Sequence, residues 1–136
     1  MISLTTMPLW FLFNRASYIF LRSILKLPRL DMVNMSRNKL EQLDGDFADF
    51  SATELNVNQN QITTLSPTIS RCARLKTLRL EENCLALEAV HREILTESKV
   101  STLQLAGNLF DDKKLVEVDG YSQYMERFTA TRRKMD

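Results

Sequence analysis

Four segments of this chain repeat one arrangement of residues, apolar-x-x-apolar-x-apolar-x-x-Asn-x-apolar. The asparagines are Asn38, Asn60, Asn83 and Asn108, so successive copies are 22, 23 and 25 residues apart. The apolar positions are Leu30, Val33, Met35 and Leu40; Ala52, Leu55, Val57 and Ile62; Leu75, Leu78, Leu80 and Leu85; and Val100, Leu103, Leu105 and Phe110. A fixed period of this length is typical of repeat architectures, in which each copy forms one structural unit.

The centre of each copy alternates between apolar and polar residues, as in Leu78, Arg79 and Leu80. This two-residue period predicts a short β-strand that points Leu78 and Leu80 inward and Arg79 outward. A single short strand leaves its backbone groups unpaired, whereas copies stacked in parallel satisfy one another and bury a continuous core. The pattern therefore predicts an α/β solenoid over residues 30–110, with a short parallel sheet on its concave face.

Each copy carries an asparagine where the strand must end and the chain must turn. A buried asparagine amide can bond the backbone of its own turn and that of its neighbour. We therefore predict that Asn38, Asn60, Asn83 and Asn108 form a structural ladder along the stack.

The segments that return the chain between strands differ in length. Residues 43–47 and 65–69 follow the first two copies and are too short for more than an irregular or 3₁₀ turn. After the third copy, Leu87, Val90, Ile94 and Leu95 recur at helical spacing. This spacing predicts an α-helix on the convex side.

The C-terminal segment, residues 111–136, is predicted to end the stack. Tyr121, Tyr124, Met125 and Phe128 fall on one face of a helix, and such a helix would cover the exposed core and sheet edge of the last copy. The basic run 132–134 is interpreted as a solvated, frayed end, with contact to acidic lipid or protein as the alternative.

Residues 1–29 form a different segment, with four basic residues and no acid. A helix over residues 9–27 would place Arg15, Arg22 and Lys26 opposite an apolar face of Trp10, Phe13, Phe20, Leu21 and Ile24. We interpret the segment as a makeshift cap on the first strand, whose edge would otherwise be unpaired. The alternatives are a membrane-surface helix, an organelle-targeting presequence, a weak signal peptide, or an unstructured artefact of an altered start.

Composition restricts the possible functions. The 136 residues are 44% hydrophobic and 26% charged with a net charge of +1, which indicates one globular unit and no nucleic-acid partner. No apolar run reaches the roughly 18 residues of a membrane-spanning helix. Two cysteines and one histidine give neither a disulfide framework nor an evident metal site, so we expect a reduced, cytoplasmic chain without a cofactor.

The outward residues of successive strands should form a continuous binding surface. The central row is predicted to be Asn34, Asn56, Arg79 and Gln104. We propose a partner-binding site made of Met32, Asn34, Glu54, Asn56, Lys76, Arg79, Glu81, Glu82 and Gln104. The charges could instead solvate the sheet and pair across strands, Glu54 with Lys76 or Arg79, and both roles could hold.

Several segments resemble intracellular leucine-rich repeat proteins. These are residues 54–62 (ELNVNQNQI), 74–85 (RLKTLRLEENCL), 107–110 (GNLF) and, most specifically, 120–134 (GYSQYMERFTATRRK). The resemblance covers about residues 20–136 and implies the C-terminal half of a longer solenoid that recognises proteins and has no catalytic centre. Members of the family begin with Met-Gly, which permits N-myristoylation, whereas this chain begins Met1-Ile2, so a lipid anchor is not expected here.

Two functions follow as predictions. The first is a monomeric, non-catalytic adaptor or scaffold that binds a protein on the concave face. The second is a membrane-surface or organelle-targeted protein directed by residues 1–29. An enzyme is not expected, because no nucleophile lies beside a base and three glycines make no phosphate-binding loop.

Overall fold

The computed structural model of the chain describes residues 2–3 and 14–135, with side chains described for residues 19–134, and it has a mixed α/β fold. The helices are α1 (Asn14–Ile24), α2 (Arg92–Thr96) and α3 (Tyr121–Met135). Short 3₁₀ stretches span Pro67–Arg71, Leu87–Ala89 and Asp112–Glu117. Neither α1, α2 nor α3 is long and apolar enough to cross a membrane.

A parallel sheet is built from one strand of each of the four copies and from residues 2–3. Its strands, in order across the sheet, are β1 (Ile2–Ser3), β2 (Met32–Asn34), β4 (Glu54–Asn56), β6 (Thr77–Arg79) and β7 (Thr102–Gln104). Equivalent residues of the copies stand side by side, so that Val33, Leu55, Leu78 and Leu103 share one register row. The predicted parallel sheet is confirmed.

Strand formation follows from the alternation in the sequence. In β2, β4 and β6 a fully buried Val33, Leu55 or Leu78 stands between two half-buried outward residues. The other apolar positions of the pattern are buried in the same core, except that Leu30, Leu103 and Phe110 are partly buried and pack against it. Burying each such large side chain contributes about 1.5–3 kcal/mol, which stabilises the stack.

A second, two-stranded sheet joins the first two return segments. β3 (Gln42–Leu43) and β5 (Thr64–Leu65) pair in parallel, and the Ser66 N–H donates to the Leu43 carbonyl at 2.7 Å. The sequence predicted only irregular or 3₁₀ structure here. The 3₁₀ stretch Pro67–Arg71 follows β5 as expected, but the sheet was missed because it forms only when two equally spaced returns lie side by side.

The third return is not one continuous helix, as the apolar spacing predicted. The 3₁₀ stretch Leu87–Ala89 and the five-residue α2 are separated by Val90 and His91, which have extended backbone angles. The His91 ring Nε2 lies 2.8 Å from the Leu65 carbonyl oxygen of the preceding return. The 3₁₀ stretch contains no fully buried residue and the buried Val90 lies in the break, so the apolar spacing did not reveal where the helix is interrupted.

At the N-terminal end of the sheet, α1 buries Leu21 and Ile24 in the core shared by all the strands. Arg22 and Lys26 are exposed. The described helix spans Asn14–Ile24, whereas the prediction ran to residue 27; residues 9–13 and the Arg15 side chain lie outside the described part. Ile2 and Ser3, which belong to residues 1–29, form a strand that the sequence pattern did not predict and that pairs in parallel with β2.

At the C-terminal end, α3 confirms the predicted helix. Tyr124 is buried, and Tyr121, Met125 and Phe128 are partly buried against the core. The basic run 132–134 is exposed but helical, so the expectation of a frayed end was wrong. The Arg132 guanidinium carbon lies 4.9 Å from the Phe128 ring centroid, a cation–π contact that helps to hold this last turn.

Candidate functional site

The outward side chains of the sheet form one surface, which we call the strand face. Its central register row is Asn34, Asn56, Arg79 and Gln104, and the adjacent row is Met32, Glu54, Thr77 and Thr102. All eight side chains are half-buried, and Lys76 and Glu82 are exposed at its borders. The predicted partner-binding residues are therefore brought together on one side of the sheet.

Arg79 lies at the centre of the strand face and bonds to both neighbouring strands. Its guanidinium lies 3.6 Å from the Glu54 carboxylate and donates to Gln104 Oε1 at 3.0 Å. The predicted pairing of Glu54 with Arg79 is confirmed. Since the Arg79 side chain is 35% exposed, this ion pair contributes at most about 1 kcal/mol to stability and mainly orients the guanidinium.

Asn34 and Asn56 use their side-chain oxygens to shape the turn after each strand. Asn34 Oδ1 accepts from the Ser36 N–H at 3.0 Å and from its hydroxyl at 2.7 Å, and Asn56 Oδ1 accepts from the Asn58 N–H at 3.0 Å. These bonds fix the side-chain orientation of both asparagines. Their amide nitrogens are left as preorganised donors on the strand face.

A shallow polar cavity of about 470 Å³ opens where β4 and β6 end. The side chains of three copies are linked along it: Arg37 Nε donates to Gln59 Oε1 at 2.9 Å, and Gln59 Nε2 donates to Glu82 Oε2 at 2.7 Å. Its other lining residues are Ser36, Asn56, Asn58 and Glu81. A cation and an anion are thereby connected through one glutamine across three neighbouring turns.

Arg37 and Gln59 were missed as site residues. Both precede a ladder asparagine, as do Glu82 and Gly107, and all four residues have a positive φ of 56–80°. The sequence signal that could have identified them is Gly107, since a glycine directly before a ladder asparagine indicates a left-handed backbone there. The other three copies carry a non-glycine residue at the same position. Left-handed backbone at a non-glycine residue costs about 1 kcal/mol or more, which the bonds between copies help to offset.

The asparagines at the strand ends lie side by side, one behind the next. The amide nitrogen of Asn83 donates to Leu80 O in its own turn at 3.1 Å and to Val57 O of the preceding copy at 3.0 Å, while its Oδ1 accepts from the Ile62 N–H. Asn60 and Asn108 make the equivalent bonds, and Asn38 donates within its own turn to Met35 O at 2.9 Å. These contacts make the asparagines structural elements beneath the strand face.

The strand face and the polar cavity present amide, guanidinium and carboxylate groups, which can form hydrogen bonds and ion pairs. Cys72 lies in the core, away from this surface. It donates its thiol to Phe47 O, and burial raises its pKa to about 12, so it stays protonated at neutral pH.

Among the described residues, no group of three or more His, Cys, Asp or Glu side chains is placed to hold a metal ion. No protein-family model matches the chain.

Proposed function

We propose that this chain is a leucine-rich repeat solenoid and a non-catalytic adaptor or scaffold, which binds a partner protein on the strand face as its concave surface. Two structural features support the solenoid: the parallel strands recur every 22–25 residues, and the buried asparagines link successive copies. The resemblance of residues 54–62 and 120–134 to leucine-rich repeat proteins agrees with both.

One observation carries the functional proposal. The central row of the strand face presents oriented amide groups and a guanidinium at matched positions on four neighbouring strands. An extended polar surface with fixed donors suits the hydrogen bonds of a protein interface. Arg79 is the natural anchor, since arginine is enriched among the residues that dominate binding energy.

The alternative role at a membrane surface requires an apolar helix face that is available to lipid. Of the described side chains of α1, residues 19–24, Leu21 and Ile24 are buried in the core and Ile19 is exposed. The packing thus favours the protein-binding proposal, and the membrane alternative stays a prediction.

The strand face is tested by affinity capture from cell lysate with the double variant Asn56→Arg/Glu81→Lys. Both residues line the polar cavity, so we expect a protein captured by the unchanged chain to be lost. Glu88→Lys is the matched control, because Glu88 is exposed in the 3₁₀ stretch Leu87–Ala89 of the third return. Circular dichroism must first show that all three chains fold.

Capture that survives the double variant would contradict the proposal. If capture is also lost with Glu88→Lys, the return segments would be part of the binding surface. The two variants together thus show whether capture depends on the strand face or on the return segments.

A further inference from the structure

A cleft of about 450 Å³ lies at the corner where α3 passes the beginnings of β6 and β7. Three cationic residues line it, Lys76, Arg79 and Arg132, and no acidic residue does. The remaining lining consists of serine and threonine residues of the two strands and of α3, together with Phe128. The sequence analysis named Lys76, Arg79 and the run 132–134 as candidates for separate contacts, but it did not predict that they meet, because they come from one copy and from the terminal helix.

The three cations differ in how they are held. Arg132 lies over the Phe128 ring, and Arg79 is oriented by Glu54 and Gln104. Within residues 19–134, neither Lys76 nor Arg132 forms an ion pair. Arg79 has five N–H donors, so its bonds to Glu54 and Gln104 leave others for a ligand.

Since Glu54 neutralises only one of the three cations, the cleft keeps a net positive charge of about two. Such a cleft favours an anion with more than one negative charge. A phosphate monoester carries about −1.5 to −2 charges at neutral pH and three acceptor oxygens, whereas a carboxylate carries one charge and two oxygens. Hydroxyl groups of the lining, such as that of Thr102, can donate to the same oxygens. The lining is thus complementary to a phosphate group.

We propose that this cleft binds the phosphate of a phosphorylated serine or threonine in the partner protein. The inference rests on the proposed function, since Arg79 belongs to both the cleft and the strand face, so that a partner segment on the face reaches the cleft directly. The Phe128 ring provides an apolar contact for the residue beside the phosphate. A protein source is favoured over a lipid headgroup because the cleft opens beside a polar surface.

The test uses the full chain, labelled with ¹⁵N, and the probe N-acetyl-phosphoserine N-methylamide. We expect saturable shifts of the backbone amide signals of Ser101 and Thr102, and none with the unphosphorylated serine probe. Lys76→Ala and Arg132→Ala should each weaken binding about tenfold, because each removes a charge-assisted contact. Arg133→Ala is the matched control, since Arg133 lies on the same helix but outside the cleft, and it should bind as the unchanged chain does.

Four results would overturn the proposal. Absence of shifts, or equal affinity for the corresponding aspartate probe, would exclude recognition of phosphate. Equal affinity for inorganic phosphate would assign the cleft to the free ion. Binding only to vesicles that contain a phosphoinositide would assign it to a membrane.

The two proposals fail in different ways. Asn56 and Glu81 lie outside the cleft, so capture that depends on them but survives phosphatase treatment would remove only the phosphate inference. Loss of the face-dependent capture with retained binding of the phosphoserine probe would instead remove the adaptor function.

Discussion

The two ends of the parallel sheet are covered by helices in different ways. At the N-terminal end, α1 contributes apolar side chains to the core, Leu21 and Ile24. At the C-terminal end, α3 also bonds the edge itself: the Tyr124 hydroxyl accepts from the Leu103 N–H at 2.9 Å, and Arg127 Nε donates to Val100 O at 2.8 Å. The described contacts of α1 are therefore those of buried apolar area, whereas α3 adds hydrogen bonds from particular atoms to its buried area.

This difference has a physical consequence. Apolar burial is non-directional and tolerates many side chains of similar volume, whereas a buried N–H without an acceptor costs about 1–3 kcal/mol. The N-terminal end should therefore be sensitive to loss of volume. The C-terminal end should be sensitive to loss of a single oxygen.

The largest expected effect is at the N-terminal end, with Ile24→Ala. Ile24 is 1% exposed, and removing three carbon atoms from a packed site costs about 2–5 kcal/mol. Chemical denaturation measures the change in the free energy of unfolding. Ile19→Ala is the control, since Ile19 is 63% exposed, and should change stability by no more than about 0.5 kcal/mol. Equal small losses in both variants would show that α1 is not docked.

Gly120→Ala addresses the start of α3. Gly120 has a φ of +100°, and an added Cβ would lie 2.6 Å from Thr96 Cγ2 and 3.2 Å from Leu95 Cβ. Strain and overpacking together should destabilise the protein by about 2–4 kcal/mol. In a double-mutant cycle, Thr96→Ala should recover only part of that loss, because the backbone strain remains. Full recovery would show that the steric contact alone matters.

Tyr124→Phe removes the oxygen that accepts from the edge strand. The Leu103 N–H loses its acceptor, so we expect a loss of about 1–2 kcal/mol and faster hydrogen exchange at that amide. Tyr121→Phe changes a tyrosine on the same helix face and should be nearly neutral. An unchanged exchange rate at Leu103 in Tyr124→Phe would contradict the edge-capping role.

The smallest expected effect is a loss of stability at alkaline pH, which is absent near neutral pH. Burial raises the pKa of the Cys72 thiol from 9.0 to about 12 and raises the pKa of the Tyr124 phenol above 10.0. The folded chain then holds protons that the unfolded chain releases, so stability falls as pH rises above about 9. Each group contributes a slope of at most about 1.4 kcal/mol per pH unit.

Denaturation between pH 8 and 11 measures this slope. The slope should be shallower in Cys72→Ala above pH 9 and in Tyr124→Phe above pH 10. Stability that is constant or rises over this range would contradict the assigned burial of both groups.

The local pattern was sufficient to predict much of this fold. The alternation in residues such as Leu78 and Arg79 identified the strands and their inward side chains, and the spacing of Tyr121, Tyr124 and Phe128 identified the terminal helix. The pairing of Arg79 with Glu54 was also foreseen, as one of two alternatives. These features depend on residues within a few positions of one another or on the exact repetition of the pattern.

What the pattern did not reveal requires two distant segments to meet. The β3–β5 sheet, the pairing of Ile2 and Ser3 with β2 and the Arg37–Gln59–Glu82 chain of bonds all join residues 20 or more positions apart. The break at Val90 and His91 accompanies a bond from His91 to the Leu65 carbonyl of the preceding return. No local periodicity encodes these contacts.

The sequence by itself thus determined which side chains of the four copies face the core, where the strand of each copy lies and which residues share a row. Only the tertiary structure decided which atoms bond at the two ends of the sheet and how the cationic cleft between α3, β6 and β7 is assembled. The reason is geometric: the period of a chain fixes the face on which a residue lies, whereas lateral contacts form only when the copies are stacked.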